Sequence, residues 1–175
     1  ISAGLTTISG KNRLVAYAQT NNGGTGTAGN VVTALDIETG LKLWQAGYVY
    51  PAPRVAASGL VPAAGIPGGA IGVDRTGAGS LTDVLFGTLY GDIWRLDAST
   101  GANKYGTNAM FRFAEDQKPF GQPMSIYSSD GKTLFTAGAS GGYFDPFALT
   151  QWSGSQQHVV AFQVATAQAD TPLNL

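Results

Sequence analysis

A hexamer of the form Leu-Asp-x-x-Thr-Gly occurs twice in the chain, as Leu35-Asp-Ile-Glu-Thr-Gly40 and as Leu96-Asp-Ala-Ser-Thr-Gly101. Its chemistry is local: the Asp carboxylate accepts backbone N–H groups of the turn, the Thr adds a hydroxyl, and the Gly supplies a positive φ. Each copy ends a β-favouring run. Val31 to Leu35 precedes the first, and Ile93-Trp-Arg-Leu-Asp97, alternating at the strand period, runs into the second. A third, degenerate copy is His158-Val-Val-Ala-Phe-Gln-Val-Ala-Thr-Ala167, in which Ala161-Phe-Gln163 replaces Ala34-Leu-Asp36 and Ala167 replaces the glycine. The unit around the second copy is a complete strand–turn–strand–turn: Val84 to Thr88, the turn Leu89-Tyr-Gly-Asp92, then Ile93 to Asp97 and the closing turn.

The rest of the chain reads as short strands separated by Gly-rich connections. Strands are expected at Arg13–Gln19, Asn30–Ile37 and Leu41–Trp44, as one short strand within Val55–Gly72, and at Met110–Phe113, Gln122–Tyr127, Lys132–Gly138 and His158–Val164, with Gly68–Asp74 leading into the central hairpin. Ile1 to Asn12 is Ser/Thr/Gly-rich and is expected to enter mid-fold, and Ala165 to Leu175 has no periodicity and reads as a linker or frayed end. No segment carries a helical period, so the fold class is all-β. A meander repeated at irregular spacing predicts a propeller with loop insertions rather than a sandwich. At about 40 to 50 residues per blade, 175 residues supply roughly four blades, either a small ring or part of a larger one.

Composition narrows the function classes. Charged residues are 12% of the chain and its formal net charge is −1, which leaves no electrostatic footprint for nucleic acid or an anionic membrane. The absence of cysteine excludes disulfides, thiolate metal sites and a cysteine nucleophile, without deciding the compartment. The weakly polar run Val55 to Val73 is broken by Pro62 and Pro67 and is no membrane helix. The opening Ile1-Ser-Ala-Gly, without Met, reads as a processed or truncated chain. The loop from Thr20 to Gly29 is a hairpin connection, since a phosphate cradle needs a helix after it and here a strand follows. Trp44, four residues past Gly40, is expected to pack between blades. His158 has no Ser, Cys or acidic neighbour in sequence and reads as a strand or loop histidine.

Gly91-Asp-Ile-Trp-Arg-Leu-Asp97, preceded by Asp83-Val-Leu-Phe-Gly87 and a Gly/Asp loop, resembles the Asp-x-x-Tyr-x-Gly-Asp-x-x-Gly-Asn-x-Trp-Arg-Phe-Asp signature of the PilC/PilY family of type IV pilus tip proteins. The downstream order is similar too: Phe120-Gly-Gln-Pro123, a strand, Asp130-Gly131, then Leu134 to Tyr143 where the family has a Phe-Gly-Thr-Gly-x-Tyr type segment. The resemblance spans residues 29–164. It implies a quinoprotein-like propeller of seven blades, of which residues 1–165 would be the last three or four and 166–175 a tail or linker. It also implies an exported, non-enzymatic module at the cell surface, pilus tip, periplasm or outer membrane, supporting pilus assembly, adhesion and surface sensing. Its partners would be minor pilins, the remaining blades of the same propeller, and host or abiotic surfaces. Two other readings compete: a quinoprotein-like dehydrogenase, whose blades share the repeated turn, and a periplasmic scaffold propeller that binds assembly partners.

Two sets of site residues follow. The family's calcium loop, Asp-x-Asp-x-Asp-Gly-x-x-Asp, corresponds here to Asp74-Arg-Thr-Gly-Ala-Gly-Ser-Leu-Thr-Asp83. Asp74 and Asp83 keep its ends and Thr76 offers a neutral oxygen, while Ala78 removes a carboxylate and Arg75 adds a positive charge. Calcium needs six to eight oxygen ligands with several carboxylates, so the expected affinity is low and no cofactor is expected. The insertion 141–152 carries Tyr143, Phe144, Phe147 and Trp152, either folded onto the propeller face or presented to a protein partner.

Overall fold

The computed structural model describes residues 1–19, 31–47, 66, 69–88, 92–106, 109–112, 124–127, 134–139, 159–164 and 173–174. These form three sheets. The first is an antiparallel meander of β1 (Ser2–Ile8), β2 (Lys11–Gln19), β3 (Val31–Asp36) and β4 (Lys42–Gly47), in chain order. The second joins β5 (Ala70–Val73), β6 (Asp83–Gly87), β7 (Asp92–Asp97) and β8 (Phe111–Arg112) in the same way. The third contains β9 (Met124–Tyr127), β10 (Leu134–Ala139) and β11 (Val159–Val164), again antiparallel neighbours. The fold is all-β, and no helix occurs among the described residues.

Two elements differ from the sequence reading. Residues 2–8, where the sequence reading places no strand, form β1, registered on β2 from Ser2↔Tyr17 to Ile8↔Lys11. The connection is the two-residue turn Ser9-Gly10, with φ of 51° and 76°, the geometry a tight hairpin needs. β1 lacks an apolar alternation because its buried position is filled by Thr6, whose hydroxyl lies 2.6 Å from that of Tyr17. The tail, expected to be a linker or frayed end, contributes β12 (Leu173–Asn174), which pairs parallel with β8 at the edge of the second sheet.

The core follows from the strand alternation. One face of the first sheet turns Val15, Tyr17, Val32 and Ala34 inward, against Ala70, Val84, Phe86, Trp94 and Leu96 of the second. The opposite face of the second sheet buries Val73, Leu85, Ile93 and Phe111, with Met110, in a separate cluster. All five residues of β6 are therefore buried, as expected of a strand covered on both faces. Burying each large aliphatic side chain contributes about 1.5–3 kcal/mol, so this stacking of two sheets is the main source of cohesion. The outer face of the first sheet is different, with Leu5 48% and Leu14 39% exposed as register partners on β1 and β2.

Candidate functional site

The repeated turns are built as the hexamer dictates. Asp36 Oδ1 accepts the N–H groups of Glu38 and Thr39, both at 3.0 Å, and Asp97 Oδ1 accepts those of Ser99 and Thr100 at 2.9 and 3.1 Å. Gly40 and Gly101 close the turns with φ of 71° and 74°. The second oxygen of each carboxylate meets a cation: Arg13 Nη1 donates to Asp36 Oδ2 at 2.6 Å, and Lys104 Nζ donates to Asp97 Oδ2. The Arg13 bond, followed by the backbone bond from Thr39, holds the Asp36 carboxyl below the usual carboxylate range. Burial pushes Asp97 upward, but its bonds from Lys104 and Ser99 outweigh this and bring it down to about 2.

The turn after β7 is also the seam between the two stacked sheets. The Trp44 indole donates to the Ala98 carbonyl at 2.9 Å, and the Tyr17 hydroxyl donates to the same oxygen at 3.2 Å, so both of its lone pairs are used. The two rings sit 5.8 Å apart at a 37° tilt. A Cβ on Gly101 would lie 2.6 Å from Trp44 Cε3, so only glycine lets the indole lie on this turn. The expected packing role of Trp44 is realised here, between one sheet and the next. Burial raises the Tyr17 phenol, a shift the Thr6 hydrogen bond reduces and the Asp97 charge adds to.

The 74–83 loop forms the other half of the seam. Leu81 Cδ1 lies 2.6 Å from the positions a Cβ would take on Gly4 of β1 and on Gly72 of β5, so its side chain wedges between two glycine-lined strands. Leu81 N–H donates to the Leu5 carbonyl at 2.7 Å, Gly72 N–H to Ser2 Oγ at 2.9 Å, and Ala98 N–H to the Thr82 carbonyl at 3.0 Å. Neither Leu81 nor its two glycines stands out in sequence. Each belongs to a different segment, and the only local signal is one large aliphatic residue in a Gly/Ser/Thr loop.

The three candidate cation ligands lie in this loop with their oxygens already engaged. Asp74 Oδ1 accepts from Thr76 N, Thr76 Oγ1 and Gly77 N at 2.9–3.0 Å, while Oδ2 accepts from Gly79 N. Burial raises Asp74, and these bonds, led by that from Gly79, reverse the shift and hold it low. Asp83 is buried between two guanidinium groups: Arg95 Nε donates to Oδ1 at 2.7 Å and Arg75 Nε to Oδ2 at 3.2 Å, with the Thr82 hydroxyl on Oδ2 at 2.6 Å. A calcium ion drawn to Asp83 would face both positive charges, and Thr76 Oγ1 is turned to Asp74 as a donor. These residues do not fit a calcium site in this arrangement. Tyr143, Phe144, Phe147 and Trp152, with His158, lie outside the described residues.

Comparison with family models, with curated proteins and with solved structures finds no match for this chain.

Proposed function

We propose that the chain is a non-enzymatic β-propeller module whose sheets are blades of a larger quinoprotein-like ring, carried by an exported type IV pilus tip protein. It acts through protein–protein contacts that support pilus assembly, adhesion and surface sensing. The observation that carries the propeller part is the Trp44 indole resting on the 97–101 turn of the neighbouring sheet, with its N–H on the Ala98 carbonyl. A turn that caps its own strand and also seats the next sheet is the element a radially repeated architecture needs. The pilus part rests on the resemblance carried by residues 91–97 and the motif order downstream of them. Favouring a structural rather than catalytic use, the Asp36, Asp74, Asp83 and Asp97 carboxylates are all taken up by turn capping or ion pairs.

The test is whether the tagged native protein shears off cells with type IV pili and cross-links to minor pilins. Both are expected. A bound quinone with dye-linked dehydrogenase activity would replace this reading with the enzymatic one, and recovery with an outer-membrane assembly factor instead of pilins would replace it with the scaffold one.

A further inference from the structure

The first two sheets are built alike, each an antiparallel meander of four strands in chain order, and the second then carries one strand more. β12 lies along the outer edge of β8, with Leu173 in register with Phe111 and Asn174 with Arg112. It is the one parallel neighbour among the described strand pairs. β8 is held in place without it. Phe111 and Met110 are buried with Val73, Leu85 and Ile93, and β7 occupies the other edge through Ile93↔Phe111 and Asp92↔Arg112. Successive residues of a strand turn their N–H and C=O to opposite edges, so β12 meets the backbone groups of one of these two residues. The corresponding edge of the first sheet is β4, which takes no further strand among the described residues. There an exposed Lys42 and a register shift at Ala34/Leu35 guard the edge.

We propose that the outer edge of β8 is a strand-acceptor site for an extended peptide of a partner protein, and that residues 173–174 are its tethered, displaceable occupant. The incoming peptide runs parallel to β8 as β12 does, with an aliphatic residue in register with Phe111 and an uncharged polar one in register with Arg112. Three observations favour exchange over a permanent fifth strand. The pairing is two residues long and parallel, the weaker of the two ladder types. Pro172 has no N–H with which to lengthen it toward the preceding residues. β12 also stands outside the four-strand meander, so the sheet is complete when it leaves. The tail therefore competes through its tether, which gives it an effective concentration on the order of millimolar. Such a site needs only the second sheet, and holds whether or not the sheets close a ring or the chain accompanies pili.

The test uses the intact native protein and a fluorescent peptide of residues 168–175, Gln-Ala-Asp-Thr-Pro-Leu-Asn-Leu. Beside it stands the same protein with Leu173→Pro and Asn174→Pro, which keeps the tail but removes the N–H groups of β12. Fluorescence anisotropy is expected to show saturable binding to the double variant, and binding weaker by about ten-fold or more to the unchanged protein, where the tail competes. A peptide carrying Leu173→Asp is expected not to bind. Hydrogen exchange at residues 111–112 should speed up about ten-fold in the variant and slow again when the peptide is added, while β6 stays protected. A variant that binds no peptide, equal affinity of the two forms, or exchange in β8 that the prolines leave unchanged overturns the proposal. So does loss of protection in β6, which would make β12 a fixed part of the sheet. A concentration-dependent dimer of the unchanged protein that the prolines abolish overturns it too, because the occupant is then a second copy.

Discussion

Gly101 answers to two constraints at once, its φ of 74° and the indole pressed against it, whereas Gly106 has a φ of 66° and open space around it. Gly106→Ala should therefore cost only the left-handed backbone penalty, about 1 kcal/mol. Gly101→Ala should cost about 1–3 kcal/mol more, because Trp44 has to leave the turn or strain against it. Denaturant midpoints of the two variants measure the difference, and equal values would mean that the indole does not depend on this glycine. The turn itself was legible in sequence because an Asp, a Thr and a Gly at fixed offsets act within six residues. Packing by Trp44 was legible as a role. Its acceptor was not, since Ala98 is 54 positions away and any buried carbonyl would have served.

At the scale of elements, β6 and β7 are tied by a buried ion pair rather than by apolar contacts alone. Arg95 and Asp83 have side chains only 1% and 2% exposed. Removing one partner leaves a buried charge, so Arg95→Leu is expected to destabilise by about 3–5 kcal/mol, although Arg75 partly compensates Asp83. The double change Arg95→Leu with Asp83→Leu should be less damaging than the sum of the single ones, and a double-mutant cycle followed by chemical unfolding reads the coupling. The same pairing predicts that millimolar calcium leaves the unfolding midpoint unchanged, whereas a rise of several degrees would mean that the loop rearranges around an ion. In sequence the loop resembled a degraded ion site, and only its ends, Asp74 and Asp83, marked it. Its observed use as a wedge depends on Leu81 meeting Gly4 and Gly72, a tertiary coincidence with no periodic signal. β1 escaped notice for a related reason: a strand that buries Thr6 through a hydroxyl contact carries no apolar alternation to read.

For the whole molecule, the capped carboxylates set the response to acid. Asp97 is held at about 2 against an ordinary value of 3.8, so its contribution is complete above the unfolded value and is lost as pH falls from near 4 through 2. With its side chain 25% exposed, that contribution is on the order of 1 kcal/mol after screening. Asp36 and Asp74 are lowered too and weaken the fold in the same direction on acidification. In Asp97→Asn the stability lost between pH 5 and 2 should shrink by about that amount, measured by urea unfolding across the range. The stacking of the first two sheets was foreshadowed by the repeated turn, whereas the faces they turn to each other are set by contacts between distant segments, such as Leu81 with Gly4, that no local pattern encodes. A density map of the intact native polypeptide tests the stacking most directly. Expected is a closed ring of sheets stacked as the first two are, with the Trp44 indole seated on the 97–101 turn; a map in which the sheets pair as a two-layer sandwich or leave the stack open would contradict it.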